Sequence, residues 1–155
     1  MPGSDETAGP LPGSARSLAF PRAYRLKRRR LIRPLFDRSR TDTGTVAVGC
    51  IRLLYRTVPR EETGYDVPWQ IGFAPGRTPR AVQRNRIRRL LREVYRVHQH
   101  ILVDLFLHRD ETLTVMVLYR GRPEAASPRI MQDLPRALTR LADRFSSGLA
   151  DREGQ

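Results

Sequence analysis

Apolar residues recur three and four positions apart through the middle of the chain, and this repeat constrains the fold more than any other feature. It is typical of a long amphipathic α-helix that must bury one face. Thr78 and Pro79 precede the repeat and predict a helix start, because threonine caps free amides and proline is favoured in the first turn. The pattern predicts an end between His100 and His108. The apolar positions are Val82, Ile87, Leu90, Leu91, Val94, Val97 or His98, Ile101 and Leu105.

Three other segments have the composition of β-strands. The segment 112–119 is almost continuously apolar, which is typical of a strand in the interior of a sheet. The segments 45–58 and 67–73 are separated by a polar, glycine-containing stretch, so they are predicted to pair as an antiparallel hairpin. If 45–58 is one continuous strand, alternation puts Val46 and Leu53 on opposite faces of the sheet.

Two shorter helices complete the predicted fold. A basic helix is predicted over 25–36, kinked or split at Pro34, because proline removes a backbone donor and clashes one turn back. Apolar spacing predicts a terminal helix over 130–145. The order helix, strands, long helix, strand, helix predicts an α+β fold, a small sandwich in which helices pack against one mixed sheet.

The two ends of the chain differ in composition from the part between them. Residues 1–18 are predicted to be a disordered tail and residues 146–155 a flexible tail, because both are polar and have little to bury. One domain is therefore predicted over 19–145. The N-terminal segment has neither the basic nor the apolar region of a signal peptide, and no apolar run approaches the length of a membrane span. We expect a cytoplasmic protein with no membrane partner.

Arginine dominates the outward side of the long helix. From Arg77 to Arg92 the sequence has seven arginines and no acid, the next acid being Glu93. Like charges one helical turn apart repel, so this side destabilises the free protein and a polyanion would relieve the repulsion. An ordinary solvated face is the alternative, but such faces usually interleave acids that pair with the bases. These arginines are Arg77, Arg80, Arg84, Arg86, Arg88, Arg89 and Arg92.

The charge of the whole chain also favours a polyanionic partner. Lysine and arginine number 29 against 16 aspartates and glutamates, a formal net charge of +13, which favours nucleic acid first and an anionic membrane second. Asn85 lies inside the arginine run, and its amide can donate to and accept from a phosphate, a 2′-hydroxyl or a water. A capping or solvated asparagine is the alternative at this position.

The sequence holds no evident metal or catalytic constellation. Cys50 is the only cysteine, which excludes an intrachain disulfide and a thiolate zinc site. His98 and His100 are two positions apart, which is not the spacing of a helical metal site, and no acidic cluster accompanies them or His108. We expect a structural or surface role for all three histidines.

The segment 81–93 resembles the signature of the bacterial ribonuclease P protein subunit. That signature is an Arg-Asn-Arg core followed by an apolar residue, two basic residues, two apolar residues and Arg-Glu, and the match is ungapped. The preceding Gly72–Phe73 resembles the strand-ending Gly-Phe of the family. The run that ends at Phe36 resembles its first helix, and 115–120 resembles its last strand. The resemblance covers about residues 20 to 145.

This resemblance implies a role in tRNA maturation and a ribosomal-protein-domain-2-like fold. In that family the RNA subunit hydrolyses the phosphodiester with bound Mg²⁺, and the protein holds the RNA and the 5′ leader of precursor tRNA. It thus implies a monomer partnered by the catalytic RNA and precursor tRNA, with no catalytic residue, metal site or cofactor of its own. The implied RNA-binding residues are Arg77, Arg80, Arg84, Asn85, Arg86, Arg88, Arg89 and Arg92. The implied leader cleft contains Ile32, Phe36, Cys50 and Phe73.

The chain departs from the family pattern in several places. Where the family usually has two adjacent lysines and a glycine before the helix, only Arg77 and Arg80 are basic here. Cys50 stands where the family often has an aromatic residue, and Phe36 could stack a base or simply pack in the core. A non-enzymatic ribosomal or other structural RNA-binding protein fits the composition equally well. A DNA-binding helix-turn-helix does not, because a strand and a loop precede the arginine helix.

Overall fold

The computed structural model of the chain describes residues 19–103 and 109–153. The predicted N-terminal tail, 1–18, and His108 lie outside the described residues. Among the helices that the structure describes, none is long and apolar enough to cross a bilayer. The elements follow in the order α1 (Arg29–Ile32), β1 (Gly44–Val48), β2 (Ile51–Pro59), β3 (Trp69–Ala74), α2 (Ala81–His98), β4 (Glu111–Tyr119) and α3 (Ala126–Glu153).

The four strands form one mixed sheet in the order β1-β2-β4-β3. Strand β4 lies in the interior, as its apolar sequence predicts, and pairs antiparallel with β2 and parallel with β3. The predicted hairpin between 45–58 and 67–73 is wrong, because β4 lies between β2 and β3. A local sequence pattern favours pairing of neighbouring segments, whereas here the most apolar strand takes the position that buries both of its faces.

The segment 45–58 is itself a hairpin that turns at Gly49 and Cys50. Gly49 has a φ of 55°, in the left-handed region that favours glycine. From α3, the carboxylate of Asp133 accepts a hydrogen bond of 3.0 Å from the Cys50 backbone N–H. The turn places Val46 opposite Leu53, and both are buried on the same face of the sheet. The prediction that they lie on opposite faces, which assumed one continuous strand, is therefore wrong.

Helices cover both faces of the sheet, which confirms the predicted α+β sandwich. Helices α2 and α3 cover most of one face and form the main core with it. On the other face, α1 and the 3₁₀ turn Arg33–Phe36 that follows it cover only one part. This partial cover leaves the rest of that face accessible. The buried cluster that these elements form with the sheet consists of Leu26, Leu31, Leu35, Leu54, Val58 and Met116.

The first and last helices differ in extent from their predictions. Residues 25–26 are extended, because they pair along the outer edge of β3, where the Leu26 N–H donates to the Ile71 carbonyl at 3.0 Å. The basic helix thus starts at Arg29 rather than residue 25, and it becomes a 3₁₀ turn at Pro34, as expected for a split helix. Helix α3 continues to Glu153, so most of the predicted flexible tail is assigned to it.

A buried hydrogen bond joins the sheet to α2. The indole N–H of Trp69 donates to the Tyr95 hydroxyl oxygen at 2.8 Å, and both side chains are 0% exposed. Burial raises the pKa of the Tyr95 hydroxyl well above its ordinary value, so this group stays neutral. The bond satisfies the single polar atom of the largest core side chain.

Removing the Tyr95 hydroxyl tests this bond. Tyr95→Phe leaves the buried Trp69 N–H without an acceptor, so the free energy of unfolding should fall by about 1–3 kcal/mol. Urea titration followed by the fluorescence of Trp69 measures it. Tyr65→Phe is the matched control, because Tyr65 is 43% exposed, and its effect should stay within about 0.5 kcal/mol. Equal stability of the two variants would contradict the assigned role of the bond.

Candidate nucleic-acid interface

The loop before α2 is held by its own backbone. The Thr78 hydroxyl donates to the Pro75 carbonyl at 3.2 Å, and the Thr78 N–H donates to the Gly76 carbonyl at 3.0 Å. Thr78 is buried and does not cap the helix, which begins at Ala81. The predicted Thr78 cap is therefore wrong, because Arg80 takes the N-cap position and Thr78 lies two residues before it.

Arg84 joins this loop to the first turns of α2. Its Nη1 donates to the carbonyls of Thr78 at 3.0 Å and Pro79 at 2.8 Å, and its side chain is half-buried. The guanidinium group has five N–H donors, so donors remain for a ligand after these bonds are made. Arg84 therefore both fixes the loop and adds positive charge at the helix start.

The other predicted arginines are exposed and lack acidic partners. The only acid of α2, Glu93, pairs with Arg96 at 2.6 Å, and this pairing holds the pKa of the Glu93 carboxyl below its ordinary value. Within the described part of the chain, no carboxylate lies within 4.0 Å of the exposed arginines. Their charge is thus available to a polyanion. The exposed arginines are Arg77, Arg80, Arg86, Arg88, Arg89 and Arg92.

Asn85 orients one of these arginines. Its side-chain oxygen accepts a hydrogen bond of 3.3 Å from Nη1 of Arg88, one turn further along the helix. Asn85 is exposed, and its amide N–H₂ makes no hydrogen bond among the described residues. The pair thus presents a neutral donor beside a cation, an arrangement suited to a phosphate or a ribose hydroxyl.

Two residues that sequence reasoning missed extend this arginine surface. Arg25 and Lys27 line a depression of about 190 Å³ together with Arg88 and Arg92. They reach this position because the chain before α1 runs along the edge of β3, next to α2. The basic run in which they lie was visible in the sequence. The predicted helix from residue 25 would not have placed them along the edge of β3, next to α2.

A second basic surface is a groove of about 740 Å³ on the partly covered face of the sheet. We call it the sheet groove. Leu54 and Leu118 lie at its base, Leu35 and Phe36 line one side, and Thr45 of β1 lines the open edge. Among the described residues that line it, cations outnumber acids and Asp37 is the only acid; Arg40 also pairs with Asp42 at 2.8 Å. The cations are Arg38, Arg40, Arg52, Arg77 and Arg120.

The structure brings only one of the four predicted cleft residues to the sheet groove. Phe36 lines it and is 48% exposed, so it is not a core residue. Ile32 is half-buried against the cluster beneath α1. Cys50 and Phe73 pack against the main core on the opposite face, Cys50 at the hairpin turn and Phe73 with its ring 5.6 Å from that of Tyr95.

Sequence analysis also missed the positions of β2 that face the sheet groove, because it treated 45–58 as one continuous strand. Arg52 and Leu54 point to the groove side because the turn at Gly49 and Cys50 sets the register of β2. An arginine between the apolar residues Ile51 and Leu53 was the available signal. It could be interpreted only once the turn was located.

The histidines form no metal site in the described residues. Nδ1 of His98 lies 2.8 Å from the Val94 carbonyl, one turn back in α2, and His100 is exposed. Across the part of the chain that the structure covers, no three histidine, cysteine, aspartate or glutamate side chains are placed to hold an ion. A structural or surface role fits the two histidines that are described.

The α+β sandwich, the arginine helix and the sheet groove define a small RNA-binding protein. The sequence matches the family described as Ribonuclease P over residues 20–142, and the chain belongs to that family. The match includes α1, the whole sheet, α2 and most of α3.

Relatives with the name ribonuclease P protein component agree with this assignment. The protein from Pseudomonas entomophila is 32% identical over 138 residues, covering 87% of this chain and 92% of its own length. That from Chlorobaculum tepidum is 31% identical over 116 residues, 71% of this chain and 73% of its own. That from Porphyromonas gingivalis is 30% identical over 105 residues, 66% and 74%. No solved structure gave a significant match.

Two neighbouring side chains test whether Phe36 belongs to the surface or to the core. Phe36→Ala should lower the free energy of unfolding by less than about 1 kcal/mol, because the ring is half exposed. Leu35→Ala, at a buried neighbour, should lower it by about 2–5 kcal/mol. Binding of single-stranded RNA should weaken by about 1–3 kcal/mol in Phe36→Ala if the ring stacks on a base. Thermal melts and fluorescence anisotropy measure the two effects. A stability loss for Phe36→Ala as large as that for Leu35→Ala would assign the ring to the core.

Proposed function

We propose that this protein is the subunit of a ribonuclease P holoenzyme that binds the catalytic RNA and the 5′ leader of precursor tRNA. In this role it assists the Mg²⁺-dependent endonucleolytic cleavage that leaves a mature tRNA 5′ end. The observation that carries the proposal is the row of exposed arginines on α2, which lack acidic partners and lie within the family match. A non-enzymatic structural RNA-binding role is not favoured, because that match covers nearly the whole domain.

The arginine surface of α2 is suited to a folded RNA. Guanidinium groups bind phosphates with two parallel hydrogen bonds and remain charged at any physiological pH. Arg80, Arg84, Arg88 and Arg92 recur four residues apart, about one turn, so they can follow a phosphate backbone. Such contacts fix register and orientation without reading base identity. We assign this surface to the catalytic RNA.

The sheet groove is suited to the single-stranded leader. Its apolar base, formed by Leu54 and Leu118, and the half-exposed ring of Phe36 offer surfaces for unstacked bases. Its arginines offer phosphate contacts along the same path. Proteins that bind single strands without sequence preference combine a basic groove with stacking side chains in this way. We assign the sheet groove to the leader.

The protein's contribution to the reaction is binding and orientation. Mg²⁺ held by the RNA subunit supplies the Lewis acid for phosphodiester hydrolysis. The groove and the arginine surface share Arg77, which lies between them in the loop before α2. One rigid domain can therefore hold the leader at a fixed position relative to the RNA subunit. We further propose that it acts as a monomer in the cytoplasm.

The salt dependence of RNA binding tests the arginine surface. If about five phosphates are neutralised, log affinity should fall against log salt concentration with a slope of roughly −3.5 to −4.5. Arg88→Ala should weaken binding and flatten that slope by about one unit. Asn85→Ala should weaken binding at an almost constant slope, because it removes no charge. Filter binding to the cognate RNA subunit at several salt concentrations measures both quantities.

Two further variants control this experiment. Arg96→Ala is the matched control, because Arg96 lies on the same helix but is already paired with Glu93, and its slope should equal that of the wild type. Arg84→Ala requires a thermal melt beside the titration, since its bonds to the loop before α2 are also lost. Unchanged affinity and slope for folded Arg88→Ala and Asn85→Ala would remove α2 from the RNA site.

Reconstitution tests the function itself. The purified protein alone should cleave precursor tRNA negligibly, and adding its cognate RNA subunit and Mg²⁺ should produce mature 5′ ends. Gel analysis of end-labelled precursor tRNA measures this, with the RNA subunit alone at the same Mg²⁺ concentration as the control. Robust cleavage by rigorously RNA-free protein would contradict the division of labour, and no effect of the protein on the RNA subunit would contradict the proposed role.

A further inference from the structure

The sheet groove is open at the edge of β1. Thr43 and Thr45 line the groove on this side, and β1 is an outer strand of the sheet. The same residue that lines the groove also contacts α3, because the Thr45 carbonyl accepts a hydrogen bond of 2.8 Å from Nη1 of Arg144. The guanidinium group of Arg144 therefore lies at the outer edge of β1, the strand that bounds the groove, although α3 packs on the other face of the sheet.

Arg144 is the last of three arginines spaced one turn apart along α3. Arg140 donates to the Ala47 carbonyl of β1 at 3.2 Å, and Arg144 also donates to the Tyr55 hydroxyl at 2.9 Å. Arg136 makes no hydrogen bond through its side chain among the described residues. All three are exposed, so they form a row along the β1 edge.

The charge of this row is not neutralised by the fold. Within the residues whose side chains are described, no carboxylate lies within 4.0 Å of Arg136, Arg140 or Arg144. The bonds of Arg140 and Arg144 to backbone carbonyls use one nitrogen each and leave the positive charge in place. Like charges at this spacing repel, as on α2, so an anion along the row would be stabilising. The row continues the basic lining of the sheet groove around the edge of the sheet.

We infer that the leader path leaves the sheet groove over the β1 edge and continues along α3. In this path Arg136, Arg140 and Arg144 bind the phosphates of leader nucleotides beyond those held in the groove. The inference rests on the proposed function, which assigns the groove to the leader. It predicts that the protein distinguishes leaders by their length.

The geometry favours a single strand over a duplex at this row. A strand that enters from the groove must pass from one face of the sheet to the other within the thickness of one edge strand. Duplexes resist such bending, whereas a single strand turns easily. The arginine surface assigned to the RNA subunit lies elsewhere, because α2 packs on β3 and β4 and α3 packs on β1 and β2.

The test uses the reconstituted holoenzyme and two precursor tRNAs that differ only in leader length. Leaders of about 4 and about 16 nucleotides bracket the site sizes of single-strand-binding domains. Wild-type holoenzyme should bind the long-leader substrate more tightly. Arg140→Gln and Arg144→Gln should each reduce the affinity for the long leader by about two- to fivefold, the range for one exposed ion pair, and leave the short leader unaffected.

Matched variants separate this effect from charge and from folding. Arg22→Gln removes the same charge at an exposed position near the start of β3, remote from the row, and should keep the full length preference. Arg136→Gln removes no hydrogen bond. If the other two variants unfold, its affinity for the long leader shows whether the row binds leader phosphates. Thermal melts of the free proteins identify such variants.

Each remaining outcome has one meaning. Equal binding of both leaders by an active wild-type holoenzyme would overturn the inference and leave the proposed function intact. Equal losses for both leaders, or weaker assembly with the RNA subunit, would assign the row to that RNA and also overturn the inference. A holoenzyme that fails to assemble or cleave would instead overturn the proposed function.

Discussion

The interior position of β4 is the constraint on which the rest of the structure depends. Its two neighbours pair with it in opposite senses, and its alternate side chains enter two separate cores. Leu113, Val115 and Val117 contribute to the core under α2 and α3, while Met116 contributes to the smaller one under α1. Because both faces of this strand are buried, its register fixes which residues of β2 and β3 face each side. The composition of the sheet groove follows from that register.

The unequal cover of the two faces explains how a small domain supports two basic surfaces. Two long helices bury most of one face, and the apolar contacts of that core stabilise α2 although its outer side carries repelling arginines. On the other face the short α1 and its 3₁₀ turn bury only one cluster. The remaining area, which the half-buried Arg52 and Leu118 line, stays accessible. Stability and binding are thus provided by different faces of the same sheet.

The sequence predicted those features that depend on local periodicity, and it missed those that depend on pairing. The long helix, the interior strand and the exposed arginines follow from spacing and charge, which act within a few residues. The turn at Gly49 and the insertion of β4 between β2 and β3 depend on contacts between distant segments, such as that of Asp133 with Cys50. Whether Cys50 and Phe73 face the cleft depends on how the strands pair, which the sequence pattern did not show. Phe36 lies at the end of a helical turn, so its position could be predicted without the strand register.

Both outer strands of the sheet are covered. The β1 carbonyls of Thr45 and Ala47 accept hydrogen bonds from arginines of α3, and the outer edge of β3 pairs with residues 25–26. An unprotected edge is a template on which strands of other molecules can add, and this is a common route to aggregation. The formal net charge of +13 also opposes association between copies of the chain. The covered edges leave fewer backbone groups for a foreign strand to pair with, and the arginine side chains along β1 place part of that charge at the edge itself.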